Sequence, residues 1–288
     1  MAKINNSLVQ RTAEKRGITA YLNSEKVLGN IEQALGADNK QRFITGVISA
    51  VNTNPALQEC TNQSILSGAL LGESLKLSPS PQLGHYFLVP FNDKDRGKVA
   101  QFQLGYKGYI QLAIRSGQYK KLNVLAVKKG ELEYFDPLNE EIKINLMIDK
   151  WDEREEAETI GYYAMFELVN GYKKAIYWSK KQMESHAIKY SPGYKAKKGF
   201  TFWEKNFDGM AYKTMLRQLI SKWGIMSIEM QSAFENDMTF KDEAGVTRYP
   251  EKDPDIIDMT PIEEPQPKIT ESSDNEAPVD AAAALFGE

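Results

Sequence analysis

Two alternating runs, TIGYYAMFEL from Thr159 and YKKAIYW ending at Trp178, are separated by Val169 and the pair Asn170-Gly171. That pair suits the positive φ angles of a tight hairpin turn, so the two runs are expected to pair as antiparallel neighbours. Upstream, GHYFLVPF and VAQFQL flank the polar turn NDKDRGK, and KLNVLAV, LEYF and EIKINL supply three more strand-like runs. Helical periodicity brackets this block. Asp38-Asn39-Lys40-Gln41 has the cap spacing of a helix start, with Ile44, Val47, Ile48 and Val51 on one face and Pro55 beyond the end. Thr61 is placed to cap a second helix through about Lys76, burying Ile65, Leu66, Ala69 and Leu70, with Gly68 and Gly72 permitting close approach. In TFWEKNFDGMAYKTMLRQLISKWG, Met215, Leu216, Leu219, Ile220 and Trp223 are placed to pack inward, while Lys213 and Arg217 share another face. The fold class read from this pattern is α+β, with antiparallel sheets and hairpins packed against helices.

The ends of the chain read differently. From Lys241 to Glu288 there are 4 basic and 13 acidic residues against 36 and 39 in the whole chain, leaving 32 and 26 for the remainder. An anionic tail therefore follows a cationic body. Half of the 12 prolines lie in this tail, whose aromatics are Tyr249 and Phe286, so it lacks the apolar surface to offset its ordering entropy. Residues 1–24 read as a flexible arm, 25–240 as the body and 241–288 as a disordered acidic tail. One cysteine, Cys60, supports neither an internal disulfide framework nor a multi-thiolate metal site, which fits a reducing compartment. The chain reads as having no signal peptide, and its apolar runs fall short of the roughly 20 residues needed to cross a bilayer. A soluble, cytoplasmic protein without membrane partners is expected.

Conventional catalytic chemistry fits the sequence poorly. His85 and His186 stand outside any metal-binding pattern and read as core or surface histidines. No segment has the Gly-x-x-x-x-Gly-Lys-Ser/Thr phosphate loop, so no nucleotide site and no cofactor are expected. The best enzymatic alternative is a metal-dependent nuclease in which Asp136, Glu141 and Lys143 hold a divalent ion and a water. The same residues also read as the wet face of a strand and its connection.

Basic and aromatic residues offer more. Gly-Tyr-Lys occurs at Gly105, Gly171 and Gly193, and the third copy opens GYKAKKGFTFWEK, where Lys195, Lys197, Lys198 and Lys205 interleave with Tyr194, Phe200, Phe202 and Trp203. Cations neutralise phosphates and flat rings stack on exposed bases, the pairing that single-stranded nucleic acid requires. The other reading of this composition is aromatic core under a lysine-rich surface. In QFQLGYKGYIQLAIRSGQYKK a strand pattern turns into a helix through Gly105 and Gly108, which would let a backbone approach a ligand beside the first helix amides. Tyr106, Lys107 and Tyr109 line that junction, and Lys120 and Lys121 follow the helix end at Gly117. A strand-to-helix corner with glycines chosen for packing is the alternative.

NPALQECTNQSILSGALLGESLKLSPSPQLGHYFLVPF, QFQLGYKGYIQLAIRSGQYKKL and FDGMAYKTMLRQLISKW, in this order, resemble the RecT family of phage and prophage single-strand annealing proteins. The likeness spans roughly Asn54 to Trp223. It implies a phage-type recombination protein of the bacterial cytoplasm that coats single-stranded DNA and anneals it to a complementary strand without ATP, as rings or helical filaments. It also implies a compact core of sheet and helices and no catalytic site. By matching motifs, DNA contact is carried onto Tyr106, Lys107, Lys120 and Lys121, and onto Lys213 and Arg217 in the final helix. Tyr109, Tyr194, Lys195, Lys197, Lys198 and Trp203 are assigned to DNA on local chemistry. The tail is expected to compete with DNA, to dock an exonuclease or a host single-strand binding protein through Leu285 and Phe286, or only to solubilise. A nucleic-acid binding module without annealing activity is the remaining rival.

Overall fold

Apolar residues at one-face spacing build the helices that open the fold. In the computed structural model, which describes residues 17–93, 96–199, 201–241 and 246–248, these are α1 (Ile18–Leu22), α2 (Glu25–Leu35), α3 (Ala37–Thr53) and α4 (Asn62–Ser74). A 3₁₀ turn over Pro55–Glu59 joins the last two. Phe43, Ile44, Val47 and Val51 of α3 and Ile65, Leu66 and Ala69 of α4 are buried in a shared core. Each of these side chains larger than alanine contributes about 1.5–3 kcal/mol when taken from water. Helix α4 stops at Ser74, before the expected Lys76, because Lys76 adopts a left-handed φ of 53°. Ile18 and Leu22 belong to this core, so ordered packing begins ahead of the boundary at residue 24 read from the sequence. The arm over residues 1–16, Phe200 and the tail beyond Arg248 lie outside the described residues.

The strands follow as antiparallel pairs. β1 (Tyr86–Asp93) pairs with β2 (Gly97–Leu104), Tyr86 opposite Leu104. Helix α4 packs on this hairpin so closely that a Cβ on Gly72 would meet the Tyr86 ring at 2.3 Å. After α5 (Tyr106–Arg115), β3 (Tyr119–Lys128) begins a three-stranded sheet completed by β6 (Thr159–Leu168) in the centre and β7 (Lys173–Ser179). Tyr162, Ala164, Phe166 and Leu168 are buried at period two along β6. The Asn170-Gly171 turn forms as expected, with Gly171 at φ 89°. β4 (Leu132–Asp136) and β5 (Glu141–Ile144) form a separate hairpin, followed by α6 (Trp151–Glu156).

The last third of the described chain is helical: α7 (Lys180–Tyr190), α8 (Pro192–Lys195), α9 (Phe202–Lys205), α10 (Phe207–Trp223) and α11 (Ile228–Asn236). A two-residue pair, β8 (Phe240–Lys241) with β9 (Thr247–Arg248), ends the described residues. Met215, Leu216, Leu219 and Ile220 of α10 are buried as expected. Trp223 is not: it is 37% exposed, and its ring lies under the Lys174 ammonium at 4.4 Å and the Lys222 ammonium at 5.8 Å. The helix end thus exchanges apolar burial for cation–π contact. The α+β class with antiparallel pairing read from the sequence is the architecture observed.

Candidate nucleic-acid interface

The junction between β2 and α5 is built by backbone meeting backbone. A Cβ on Gly105 would stand 2.2 Å from the carbonyl oxygen of Gly84, and one on Gly108 would stand 2.1 Å from that of His85. The expectation that these glycines admit a ligand is corrected: the chain's own residues 84 and 85 fill the space, and Gly105 N–H donates to the His85 carbonyl at 2.9 Å. Gly108→Ala is therefore expected to cost about 1–3 kcal/mol through overpacking, read as a lower midpoint in urea unfolding. Lys107 remains exposed beside the corner, and among the described residues no carboxylate lies within ion-pair distance of it. Burial first, then the Arg115 and Lys107 charges, lowers the pKa of the neighbouring His85 imidazole. Tyr106 is half-buried, edge-on to Tyr212 at 5.5 Å.

Behind the junction lies a buried carboxylate. Residues 237–239 run beside β2, where Phe102 N–H donates to the Thr239 carbonyl and Met238 N–H to the Phe102 carbonyl. This places Asp237, whose side chain is fully buried, at the end of β2. Its Oδ1 accepts from Leu104 N–H at 2.8 Å and Lys213 Nζ at 3.2 Å, and its Oδ2 from Arg217 Nη1 at 2.8 Å and Tyr109 OH at 3.0 Å. Tyr109 is fully buried and Lys213 is 3% exposed. The expectation that Tyr109 and Lys213 face DNA is corrected by this burial. Arg217 is mostly enclosed, its guanidinium held by Asp237 and by the Tyr109 hydroxyl at 3.1 Å. Burial, then the Asp237 charge, pushes the Tyr109 hydroxyl pKa up, so it stays protonated and donates. Burial lowers the Lys213 ammonium, against the pull of Asp237. Lys213 and Arg217 do share a helix face; that face looks inward.

Lys120 and Lys121 are brought to one point by an irregularity in β3. Tyr119 opposes Leu168 and Lys121 opposes Glu167, so Lys120 is an extra residue that bulges out of the ladder. Neighbouring side chains that would otherwise alternate across the sheet then reach the same carboxylate. Lys120 Nζ stands 2.8 Å from Glu167 Oε1, and Lys121 Nζ and Lys173 Nζ stand 3.4 and 3.7 Å from Oε2. The lysine side chains are 59, 63 and 65% exposed and the carboxylate side chain 7%, so two uncompensated positive charges face solvent. The Lys120 hydrogen bond, foremost, holds Glu167 down at about 2 against an ordinary 4.5. Because the folded value is the lower one, this stabilisation is present above pH 4.5 and is lost as pH falls towards 2. Lys173 was not among the expected residues. The signal was its Gly-Tyr-Lys tripeptide, read as a turn; the register Glu167 opposite Lys173 is what brings its ammonium to the shared carboxylate.

Around α8 and α9 the sequence alternates basic and aromatic residues, and the structure separates them. Lys195 at the end of α8 and Lys197 and Lys198 after it are exposed, and Tyr194 is half-buried. Trp203, 1% exposed, packs edge-on to Phe207 at 5.1 Å and corrects the expectation of a stacking surface there. His186 lies 4.5 Å from the Tyr190 ring and 5.5 Å from the Trp178 ring, and burial, with help from Lys189, pushes it down to about 4. It is a part-buried histidine among aromatic rings, neutral at ordinary pH.

The nuclease residues sit in the β4–β5 hairpin. Asp136 Oδ1 accepts from the Leu138 and Asn139 amides at 2.8 and 3.3 Å, and Oδ2 from Asn139 Nδ2 at 2.6 Å. Its carboxylate organises the turn. Lys143 pairs with Glu133 at 2.6 Å, and Glu141 faces Asp136 across the strands. Among the described residues, no group of three or more His, Cys, Asp and Glu side chains is arranged to hold a metal ion, and no helix is long and apolar enough to cross a membrane.

Exposed ammonium groups are thus clustered on a small antiparallel sheet braced by helices. The sequence profile of the RecT family matches residues 41–255, and the chain belongs to that family, whose members are single-strand annealing proteins of recombination. The chain is 38% identical over 281 residues to YqaK of Bacillus subtilis (strain 168), covering 96% of this chain and 91% of that protein. To Protein RecT of Escherichia coli (strain K12) it is 28% identical over 242 residues, covering 82% of this chain and 86% of that one.

Proposed function

We propose that this protein binds single-stranded DNA along its phosphate backbone and anneals it to a complementary strand without ATP, as an oligomer whose subunits continue one basic surface. The observation that carries this reading is the trio of Lys120, Lys121 and Lys173 over Glu167. The carboxylate gathers three ammonium groups that would otherwise repel one another, and leaves a net excess of two for phosphate. Lys107 at the junction and Lys195, Lys197 and Lys198 at and after the end of α8 add separate contacts. Tyr106 and Tyr194, each half-buried, offer ring surface for sequence-tolerant stacking. A backbone held by its phosphates leaves base edges available to the second strand, so the product is annealed duplex. Arg217, Lys213 and Tyr109 position the junction from behind.

The work is binding and alignment rather than bond breaking, and the chain's lack of a phosphate-loop motif supports independence from ATP. The anionic tail is proposed to receive an exonuclease or a single-strand binding protein through its apolar end. The test mixes purified protein with dye-labelled complementary strands and follows pairing by energy transfer, with no nucleotide present. Pairing at least about tenfold faster than in protein-free buffer is expected for complementary strands, the scale of 1.4 kcal/mol off the barrier. Tight binding without acceleration would reduce the protein to a coating module.

A further inference from the structure

A cleft of about 480 Å³ opens where α7, α8 and α9 meet the start of α10. Its volume lies in the range of small-ligand sites. Tyr194 and Phe207, both half-buried, present ring surface at its wall, with centroids 6.1 Å apart. Trp203 lines it from beneath, and its buried indole N–H has no acceptor among the described residues. Asp208, Glu184, Glu158 and Glu204 bring carboxylates to the lining, and that of Glu204 is taken up by the Gly199 amide and by Thr201. Asp208 Oδ1 accepts from the Tyr162 hydroxyl at 2.6 Å, whereas Glu184 has no hydrogen bond or ion pair among the described residues. Lys180, one helical turn before Glu184, is the nearest lining ammonium on the same helix.

Ring surface on one wall with donors and acceptors beside it matches a planar heterocycle that carries polar groups at its edge. The exposed lysines next in sequence to Tyr194 supply the charge that a phosphate beside that heterocycle requires. We propose that this cleft takes one unstacked nucleobase of the bound single strand. The inference rests on the single-strand binding proposed above and adds a base preference to it. Carboxylate oxygens only accept hydrogen bonds, so Glu184 and Asp208 favour a base with an exocyclic amine. Cytosine offers N4–H₂ in this way, whereas the one ring donor of an unpaired thymine, N3–H, lies between two carbonyl oxygens that repel a carboxylate.

The test measures fluorescence anisotropy of the full chain with dC and dT oligonucleotides of equal length at one salt concentration, then repeats both with Glu184→Ala and with Tyr194→Leu. One charge-assisted hydrogen bond predicts dC bound at least about tenfold more tightly than dT. Glu184→Ala is expected to bring that ratio to about one. Tyr194→Leu is expected to weaken both oligonucleotides, since stacking serves either base. Circular dichroism melts of the variants separate this from loss of fold. Equal affinity for dC and dT in the unaltered protein, or a dC preference that survives Glu184→Ala, would overturn the cleft and leave single-strand binding standing. Failure to bind either oligonucleotide would overturn both.

Discussion

Replacing Lys120, Lys121 and Lys173 together with glutamine is expected to flatten the salt dependence of single-strand binding by about 1.4–2.1 in log–log slope. Each phosphate neutralised on a single strand contributes about 0.7, and the trio presents between two net and three total charges. The triple variant also strands Glu167, whose side chain is 7% exposed, without a counter-ion. A fourth change, Glu167→Gln, therefore belongs beside it, because it restores neutrality under the sheet. If the lysines hold phosphate, the quadruple variant keeps the shallow slope and regains the stability. A slope that returns with Glu167→Gln would mean that the triple variant had only disturbed the sheet. Titration of a labelled oligonucleotide at four or five salt concentrations decides between these outcomes.

Asp237→Ala is expected to be the most destabilising single substitution in the body. It leaves Lys213 and Arg217 as like charges in a nearly dry site and removes the acceptor for Leu104 N–H and the Tyr109 hydroxyl. Breaking a buried ion pair in this way costs about 3–5 kcal/mol. For a unit of this size, that lowers the melting midpoint by roughly 10 °C. Lys213→Met tests the assignment from the other side. A buried cation replaced by an apolar chain of similar length relieves its desolvation and leaves Arg217 to balance Asp237, so the midpoint changes little. The salt slope of DNA binding should also stay as it was. A Lys213→Met protein that keeps its melting point but loses about 0.7 from the slope would return Lys213 to the DNA surface.

The contrast between the two clusters explains what could be read from the chain. The hairpin at Asn170-Gly171 was legible because its cause lies in two adjacent residues. The pairing of Lys213 with Arg217 was legible as geometry, since residues four apart share a helix face. Which way that face looks depends on Asp237, 20 residues beyond Arg217, and no local pattern announces that contact. Lys120 and Lys121 were legible as charge, yet their convergence depends on a bulge against a strand some 40 residues later. The three copies of Gly-Tyr-Lys make the same point. Gly105 is fixed by a backbone carbonyl across the corner and Gly171 by a left-handed turn, while Gly193 lies inside the short α8. Identical tripeptides fold by three different causes. Burial of Trp203 and Tyr109 escaped the sequence for a related reason: an aromatic residue serves a core or a binding surface equally well until its neighbours are placed.

Asp237 also sets an order of events during synthesis. Leu104 N–H receives its acceptor from a residue 133 positions later, and the Tyr109 hydroxyl waits for one 128 positions later. A ribosome adding about 5–20 residues per second exposes the first hairpin and its junction helix many seconds before that carboxylate exists. Until then the nascent chain holds two polar groups and two cations without their partner, so the junction cannot close vectorially. The junction is therefore completed only once almost the whole body has been translated, and a chain cut short before residue 237 is expected to keep the lysine trio on Glu167 while its junction stays open.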